Sequence, residues 1–349
     1  MNVKIDKSYC ASQFLQFRCI HDSEYSFSKN NKASLEDINF KRDLVRNSDD
    51  LYYYLKMNID SAIQEGSVAL ALSGGMDSAI LAKLMPKGST AYTFKCVVPG
   101  KKVVDESVNA AIYAKESELN HEIIEIAWEE IQETLTILMT NKNAPIHSIE
   151  TQIFIAALRA KKDGFDSIVF GENADIIFGG MDGLLKEDWL FGDFVERYSY
   201  IMPYKVLKNA KLVLWPFQKY EVNGYIDGHD FINEFFRQEA LGSYNNACNS
   251  AKIKFVGPFS KTKLGTPLDY TRIRKGDTKY LIRDLFKKLY PNIEIPKKIP
   301  MPRPTDEWLA DWSGPQREEF IRNCHIKMSG DQKWLIYILE KYLNLIDTN

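Results

Sequence analysis

The sequence predicts an α/β protein in which a parallel sheet carries helices on both faces and a mostly helical half follows. Four apolar runs alternate with helical stripes up to about residue 184, and strand–helix alternation is typical of a parallel sheet. Beyond that point the alternation stops and longer amphipathic stretches predict helices. We therefore expect an N-terminal arm over 1–47 and one domain over 48–349, divided into a core (48–184) and a helical portion (185–349).

The first half divides into regular elements. Ser48 is predicted to cap a helix whose apolar residues recur every four positions from Leu51 to Ile63 and which ends at Gly66. The polar segment 28–34 is predicted to be a loop. The predicted strands cover 67–72, 90–98, 122–127 and 166–170, and the predicted helices between and beyond them cover 77–85, 106–119, 128–139, 148–164, 229–251 and 331–345.

Composition excludes several classes of protein. The chain of 349 residues is 45% hydrophobic and 26% charged, with a net charge of −2, which gives no general attraction to nucleic acid or to acidic membranes. No apolar run approaches the roughly 20 residues of a membrane span, and the N-terminus lacks a signal-peptide core. The five cysteines are scattered without C-x-x-C. We expect a cytoplasmic protein without nucleic-acid or membrane partners, and a homo-oligomer stays open.

The loop SGGMDS (73–78) carries the clearest chemical signal. It lies between a predicted strand and a predicted helix, at the sheet edge where ligands of α/β proteins bind. Gly74 and Gly75 are expected to turn the backbone and to present N–H groups to a phosphate, beside the positive helix N-terminus. Ser73 and Ser78 add hydroxyl donors, and Asp77 among anion-binding groups suggests a bridging Mg²⁺. The alternative is a glycine turn with a capping aspartate.

Two other phosphate-loop patterns are absent, and one stretch is strongly basic. Neither G-x-x-x-x-G-K-[ST] nor a G-x-G-x-x-G after a strand occurs. Residues 261–298 contain eleven Lys or Arg and four acidic residues, a net of +7. By itself such a run is typical of a solvated helix face.

SGGMDS resembles the pyrophosphate loop of the ATP-pyrophosphatase (PP-loop) superfamily, and most closely that of the synthetase domain of asparagine synthetase. Further segments resemble that domain in the same order, over about residues 48–345: DES (105–107), GENADIIFGG (171–180), GPF (257–259), KGDTKYLIRDLF (275–286) and PKKIPMPRPTDEWL (296–309). The resemblance implies an adenine nucleotide alpha hydrolase-like fold.

The resemblance also implies a reaction and its residues. Members of the family use ATP to adenylate a carboxylate, release pyrophosphate, and let an amine displace AMP. The implied roles are binding of ATP and pyrophosphate by Leu72, Ser73, Gly74, Gly75, Asp77, Ser78, Phe94 and Gly171, binding of Mg²⁺ by Asp77 and Asp175, pyrophosphate contact and catalysis by Lys279 and Lys297, and general-base catalysis by Glu172. The adjacent Lys298 leaves the register of the second lysine open. The lysines would give the basic stretch a role as a polyphosphate clamp.

Several departures from the family pattern shape the expected function. The β-lactam-forming relatives place a tyrosine where this chain has Glu172, which favours an external amine or ammonia over ring closure. The chain begins Met1-Asn2-Val3, without the cysteine and domain of glutaminase-bearing relatives, so ammonia is expected from solution or from a separate glutaminase subunit. NKNAPIHSIE (141–150) lacks the usual acidic residue of the acceptor pocket, which leaves the acceptor carboxylate open, and Phe170 and Asn173 replace a serine and a glycine of the family and are expected to alter the wall near the nucleotide.

The leading hypothesis is therefore an ATP-dependent, AMP- and pyrophosphate-forming carbon–nitrogen ligase. The alternatives are a PP-loop enzyme of tRNA or sulfur modification, a β-lactam-synthetase-like intramolecular amide former, and a non-catalytic nucleotide-binding module. Nearly balanced charge and unpaired cysteines speak against tRNA or sulfur chemistry.

Overall fold

The structure is a computed structural model that describes residues 3–29 and 40–348. The strands are β1 (Lys4–Ile5), β2 (Tyr25–Ser26), β3 (Asp43–Val45), β4 (Val68–Ala71), β5 (Thr90–Cys96), β6 (Asn120–Ile126), β7 (Ser167–Val169), β8 (Glu221–Val222), β9 (Tyr225–Ile226), β10 (Lys254–Val256) and β11 (Thr262–Leu264). The helices are α1 (Lys7–Phe17), α2 (Ser48–Glu65), α3 (Met76–Leu84), α4 (Ser107–Glu116), α5 (Trp128–Lys142), α6 (Ser148–Lys162), α7 (Ala174–Ile177), α8 (Asp182–Leu185), α9 (Phe191–Tyr198), α10 (Trp215–Gln218), α11 (Gly228–Phe231), α12 (Arg237–Ser250), α13 (Tyr270–Arg274), α14 (Tyr280–Leu289), α15 (Thr305–Trp308) and α16 (Gly330–Thr348).

The central sheet has five parallel strands in the order β10-β7-β4-β5-β6. The prediction of a parallel sheet covered by helices is confirmed, and the four predicted strands are all present. The fifth strand, β10, was not predicted, because its three residues follow a long helix without an apolar run of their own. The next strands along the chain, β5 and β6, lie on one side of β4, and the later strands β7 and β10 lie on the other side. The strand order thus reverses at β4, and ligands of such sheets bind in the crevice at this point, where the loop after β4 lies.

Each face of the sheet has its own apolar core, and β4 contributes to both. Val68 and Leu70 belong to the core formed with α2, α3, α4 and α14, whereas Ala69 and Ala71 belong to the core formed with α1, α5, α6 and α16. Successive side chains of a strand point to opposite faces, which explains this division. Because all four residues are buried, β4 reads in the sequence as a continuous apolar run.

The N-terminal segment is built into the second core rather than lying across the surface as an arm. Helix α1 buries every residue from Cys10 to Phe17. Its end is tied to the helical half by backbone hydrogen bonds from Tyr200 N to Gln16 O (3.2 Å) and from Ile201 N to Leu15 O (3.0 Å). No helix was predicted here, because its buried residues include polar ones. Most of the predicted loop 28–34 lies outside the described residues.

Two helices of the structure differ from their prediction, one in its capping residue and one in its continuity. Asn47, not Ser48, caps α2, since its side chain accepts hydrogen bonds from Asp49 N (2.9 Å) and Asp50 N (2.8 Å). The predicted helix 229–251 consists of α11, a π-helical turn over Ile232–Phe236, and α12. In the described residues, no helix combines the length and apolar character needed to cross a membrane.

Candidate active site

The SGGMDS loop leaves β4 and enters α3, as predicted, but its hydroxyl groups bond within the loop. Gly75 is the N-cap of α3, and Asp77 lies in its first turn. Ser78 Oγ accepts from Ser73 N (3.0 Å) and lies 2.9 Å from Ser73 Oγ, while Gly75 N donates to Ser73 Oγ (3.2 Å). The two serines therefore stabilise the shape of the loop. Their role as hydrogen-bond donors to a phosphate stays a prediction.

The glycines of the site are needed because neighbouring chain segments come close to them, not because their backbone conformation is unusual. Gly75 has a φ of −94°, and neither Gly74 nor Gly75 has a positive φ, so the expected special turn is not what requires them. A Cβ at Gly74 would lie 3.1 Å from the Cβ atoms of Glu106 and Asn109 at the start of α4. A Cβ at Gly171, after β7, would lie 3.2 Å from Asp77 Cβ. Glycine thus lets three chain segments meet at the loop.

Four charged side chains, which we call the lysine–aspartate cluster, lie beside this loop: Asp77, Asp175, Lys279 and Lys298. Lys279 Nζ lies 2.5 Å from Asp77 Oδ2 and 3.1 Å from Asp175 Oδ1. Lys298 Nζ lies 3.3 Å from Asp175 Oδ1 and donates to Gly180 O at 2.8 Å. Residues more than 200 positions apart in the sequence, such as Asp77 and Lys279, are thus brought together.

The electrostatics of this cluster follow from burial and mutual pairing. Burial raises the pKa of Asp77 above its usual value despite the nearby Lys279, and the charge of Asp175 adds to the rise. Burial acts in the same direction on Asp175, but Lys279 and Lys298 outweigh it and hold its pKa below the usual value. Burial alone would lower the pKa of Lys279, yet the two carboxylates raise it, so this lysine is a fixed positive charge.

Lys298, rather than Lys297, is the second lysine of the cluster. Lys297 is exposed and makes no ion pair or hydrogen bond with any described residue. The structure thus brings Lys298 to Asp175 and Gly180, and the catalytic role of either lysine stays a prediction. Gly180 itself has no room for a side chain, because a Cβ there would lie 2.0 Å from Asp175 Oδ1. This glycine belongs to the second GGMD of the chain, at 179–182.

The cluster fits a magnesium ion in the chemistry of its donors. Asp77 Oδ1 is buried and has no hydrogen-bond partner among the described residues, so one carboxylate oxygen is available. Mg²⁺ typically takes one or two protein carboxylates together with substrate phosphates and water. The described residues contain no group of three or more His, Cys, Asp or Glu side chains suited to hold a metal without such help.

Glu172 lies next to the cluster and is poised to exchange a proton near neutral pH. Burial raises its pKa to about 7, with a hydrogen bond to Tyr244 acting in the opposite direction and the charges of Asp175 and Glu239 adding to the rise. Tyr244 is buried and stacks edge-on against Phe170, the residue before this segment, at a ring distance of 5.1 Å. A base with a pKa near the working pH is the efficient one.

The remaining predicted residues lie around the same edge of the sheet. Leu72 is buried directly after β4, and its carbonyl accepts from Thr93 Oγ1 at 2.7 Å. Phe94 is half-buried in β5, with its ring 6.5 Å from that of Phe170. Glu106 of the DES segment is buried beside Gly74, and burial raises its pKa to about 7.

A second buried group of polar side chains, the arginine–glutamate cluster, consists of Arg18, His147, Tyr198 and Glu239 and was not predicted. Arg18 Nη2 lies 3.1 Å from Glu239 Oε2, and Arg18 Nη1 lies 2.9 Å from His147 Nε2. The guanidinium lies over the ring of Tyr200, 3.8 Å from its centroid. These residues come from four distant segments, so no local spacing in the sequence connects them. The signal that could have found this cluster is a charged residue in each of two apolar stretches, Arg18 in FLQFRCI and Glu239 in FFRQEAL.

Comparisons with known proteins give one family match and several similar solved structures. A sequence model described as asparagine synthase matches residues 60–251, more than half of the chain. Among solved structures, an NH3-dependent NAD synthetase from Campylobacter jejuni in complex with nitrate has 17% identity and a TM-score of 0.26, with 39% of this chain and 61% of that one covered. An NMN synthetase from Francisella tularensis has 12% identity and a TM-score of 0.28, with 72% and 96% covered.

This chain thus spans about three fifths of the NAD synthetase. No curated protein sequence matches it. The match of the family model over more than half of its length shows that the chain belongs to the asparagine synthase family, which is part of the PP-loop superfamily.

Proposed function

We propose that the protein uses ATP to adenylate a carboxylate, releases pyrophosphate, and transfers ammonia or another amine to the activated acyl group. The observation that carries this proposal is the lysine–aspartate cluster at the SGGMDS loop. It combines two fixed positive charges with two carboxylates at the N-terminus of α3. Such a set suits a polyphosphate, whose departing pyrophosphate accumulates negative charge in the transition state.

In the first step an oxygen of the acceptor carboxylate attacks the α-phosphorus of ATP, and the bond from that phosphorus to the bridging oxygen breaks. Lys279 is held between two carboxylates and cannot leave its place, so it can offset the charge that develops on pyrophosphate. Lys298 lies half-exposed on the other side of Asp175 and can act on the same group. Asp77 and Asp175 would hold Mg²⁺, which supplies charge neutralisation for the phosphates when bound.

In the second step the amine nitrogen attacks the acyl carbon, and AMP leaves with the electron pair of the broken carbon–oxygen bond. An ammonium ion has no lone pair, so a base must first take its proton. Glu172 is suited to this role because its carboxylate has a pKa near 7 and is held by Tyr244. Glutamate at this position supports an external amine over intramolecular ring closure.

The test is a screen of carboxylates for ATP-dependent pyrophosphate release, with and without ammonium, in which mass spectrometry identifies the nucleotide product. We expect AMP and an amide for at least one carboxylate, and loss of both products in Asp77→Asn. Asp49→Asn, an exposed aspartate of α2, serves as the matched control and should keep full activity. Formation of ADP, or full turnover in both Asp77→Asn and Asp175→Asn, would contradict the proposal.

A further inference from the structure

The arginine–glutamate cluster contains hydrogen-bonding groups that the protein itself leaves unsatisfied. Arg18 Nε, His147 Nδ1 and the Tyr198 hydroxyl are buried and have no hydrogen-bond partner among the described residues. Arg18 and His147 lie at the carboxylate of Glu239, and the ring of Tyr198 lies 6.0 Å from that of Tyr200, which the Arg18 guanidinium covers. Buried polar groups are nearly always paired, so three unpaired ones in one cluster indicate a ligand.

The hydrogen positions at this cluster follow from its geometry. A guanidinium can only donate, so His147 Nε2, 2.9 Å from Arg18 Nη1, must be the acceptor. The proton of the neutral ring then lies on Nδ1, and this N–H finds only Glu239 Oε1 at 3.6 Å, too far for a hydrogen bond. The site thus offers two unpaired donors, Arg18 Nε–H and His147 Nδ1–H. Glu239 Oε1 is also weakly used, since its nearest donor, Ser243 Oγ, lies 3.5 Å away.

Charge balance limits what kind of ligand group can enter. Each cation in this region is balanced by its own carboxylate. The pairs are Arg18 with Glu239 at 3.1 Å, Lys142 with Glu150 at 2.6 Å, and Arg303 with Asp331 at 2.9 Å. An additional carboxylate would bring an unpaired negative charge next to Glu239 and would be costly. A hydroxyl group can accept from the two free donors and donate to Glu239 Oε1 without changing the net charge.

Two features of the backbone lie at the cluster. Arg18 ends α1 with a φ of 60°, the left-handed conformation in which helices commonly end. Glu239 follows the π-helical turn Ile232–Phe236, a type of irregularity that is frequent at functional sites. Both features set the direction of a side chain that takes part in the cluster.

The cluster lies next to the general base of the proposed reaction. Tyr244, which hydrogen-bonds Glu172, and Glu239 both lie on helix α12, and the charges of Asp175 and Glu239 both act on Glu172. Arg18 and Arg303 keep 13% of their side chains exposed, and Tyr200 is half-buried, so solvent reaches the edge of the group. A substrate whose carboxylate reacts near Glu172 can extend a remote group toward Arg18.

We propose that Arg18, His147 and Glu239, with the hydroxyl of Tyr198 beside them, bind a hydroxyl group of the acceptor, so that the acceptor is a hydroxylated carboxylic acid and helix α1 completes its binding site. This inference rests on the proposed function and names the substrate class of the same site. Of these residues, Arg18 lies outside the range of the family match, 60–251, so a segment beyond that range contributes to the specificity.

The experiment measures binding without turnover. Gluconate and hexanoate are titrated by calorimetry into the protein with Mg²⁺ and α,β-methylene-ATP, which cannot be cleaved between the α- and β-phosphates. Gluconate has a hydroxyl on every carbon beyond the carboxylate and so presupposes no distance, whereas hexanoate has the same carbon chain and none. We expect gluconate to bind roughly tenfold or more tightly than hexanoate, as for a hydrogen bond to a charged group.

Two variants test the residues. Arg18→Lys keeps the charge opposite Glu239 but lacks the Nε donor, and Tyr198→Phe removes only a hydroxyl that has no partner, so it leaves the fold intact. Both should reduce the preference for gluconate severalfold or more, with the affinity for α,β-methylene-ATP unchanged. Arg317→Lys, an ion-paired arginine of a different network, is the matched control and should keep the preference.

The outcomes are separable. Equal or absent binding of gluconate and hexanoate to the unaltered protein, or a preference for gluconate that survives in both variants, overturns the inference. Aspartate is titrated in the same way. If the protein binds aspartate and not gluconate, the inference is overturned, because the site would then be one for a zwitterion. Failure of α,β-methylene-ATP itself to bind contradicts the proposed function instead, and gluconate is therefore titrated without nucleotide as well.

Discussion

The two charged clusters of this protein are built from the same kinds of groups but differ in how solvent reaches them. In the lysine–aspartate cluster, the side chains of Asp77 and Asp175 are 22% and 34% exposed. In the arginine–glutamate cluster, the side chain of Glu239 is 2% exposed. Water or a ligand can replace contacts in the first cluster, whereas in the second each charge depends on its partner. Removal of a charge should therefore cost activity in the first cluster and stability in the second.

The largest expected effect is on the stability of the arginine–glutamate cluster. Glu239→Ala leaves the guanidinium of Arg18 buried without its counter-charge, and breaking a buried pair in this way typically costs about 3–5 kcal/mol. The free energy of unfolding from urea denaturation measures the change. Glu187→Ala, which removes the partner of the exposed Lys186, should cost less than about 1 kcal/mol. Equal losses of unfolding free energy in both variants would show that the buried pair is no more important for stability than an exposed one.

The next effect is on catalysis in the lysine–aspartate cluster. Lys279→Met removes the positive charge between Asp77 and Asp175, and we expect the rate of pyrophosphate release to fall by roughly 10²–10³-fold, as for the loss of a preorganised electrostatic group. The unfolding free energy should fall less than in Glu239→Ala, since both carboxylates can gain water. Lys288→Met, an exposed lysine of the same helix α14, is the control. An unfolding loss as large as that of Glu239→Ala would break the comparison.

The two clusters also differ in how far the sequence alone could predict them. Asp77 was predicted from its own loop, and Asp175 and Lys279 from the resemblance of their segments to the asparagine synthetase domain. Arg18, His147 and Glu239 come from segments that meet only through tertiary packing of α1, α6 and α12. Nothing in the local sequence specifies that meeting.

The same limit applies to the fold. The alternation of apolar runs predicted four strands and their helices, because those elements have the period that their burial requires. Strand β10 and helix α1 were missed, since β10 has only three residues and α1 buries Gln13 and Gln16 among its apolar side chains. The register of Lys297 and Lys298 depended on the irregular, proline-rich path of 291–304, which carries no period.

Between the clusters, Glu172→Gln should separate the two steps of the reaction. Glutamine keeps the size of the side chain but cannot take a proton, so amide formation should fall by roughly 10²-fold or more. Pyrophosphate release in a single turnover should remain near that of the unaltered protein, because adenylation does not use this base. Both products are followed by rapid quench and mass spectrometry. Loss of adenylation to the same extent would place Glu172 in the first step instead.

The smallest expected effect concerns the pH dependence of this base and its link to Tyr244. The base acts as the carboxylate, and burial raises its pKa to about 7, so the rate of amide formation should rise with pH up to about that value and then level off. The hydrogen bond from Tyr244 stabilises the charged form and lowers the pKa of Glu172, so Tyr244→Phe should raise this pKa and move the rise in rate to higher pH. We expect a shift of less than about one pH unit, since a single hydrogen bond of about 1 kcal/mol is lost. Tyr113→Phe, a buried tyrosine of the opposite core, should leave the pH profile unchanged. A purely structural role for Tyr244 would lower the rate at every pH without moving the profile, whereas a shift would show that its hydrogen bond helps to set the proton affinity of the base.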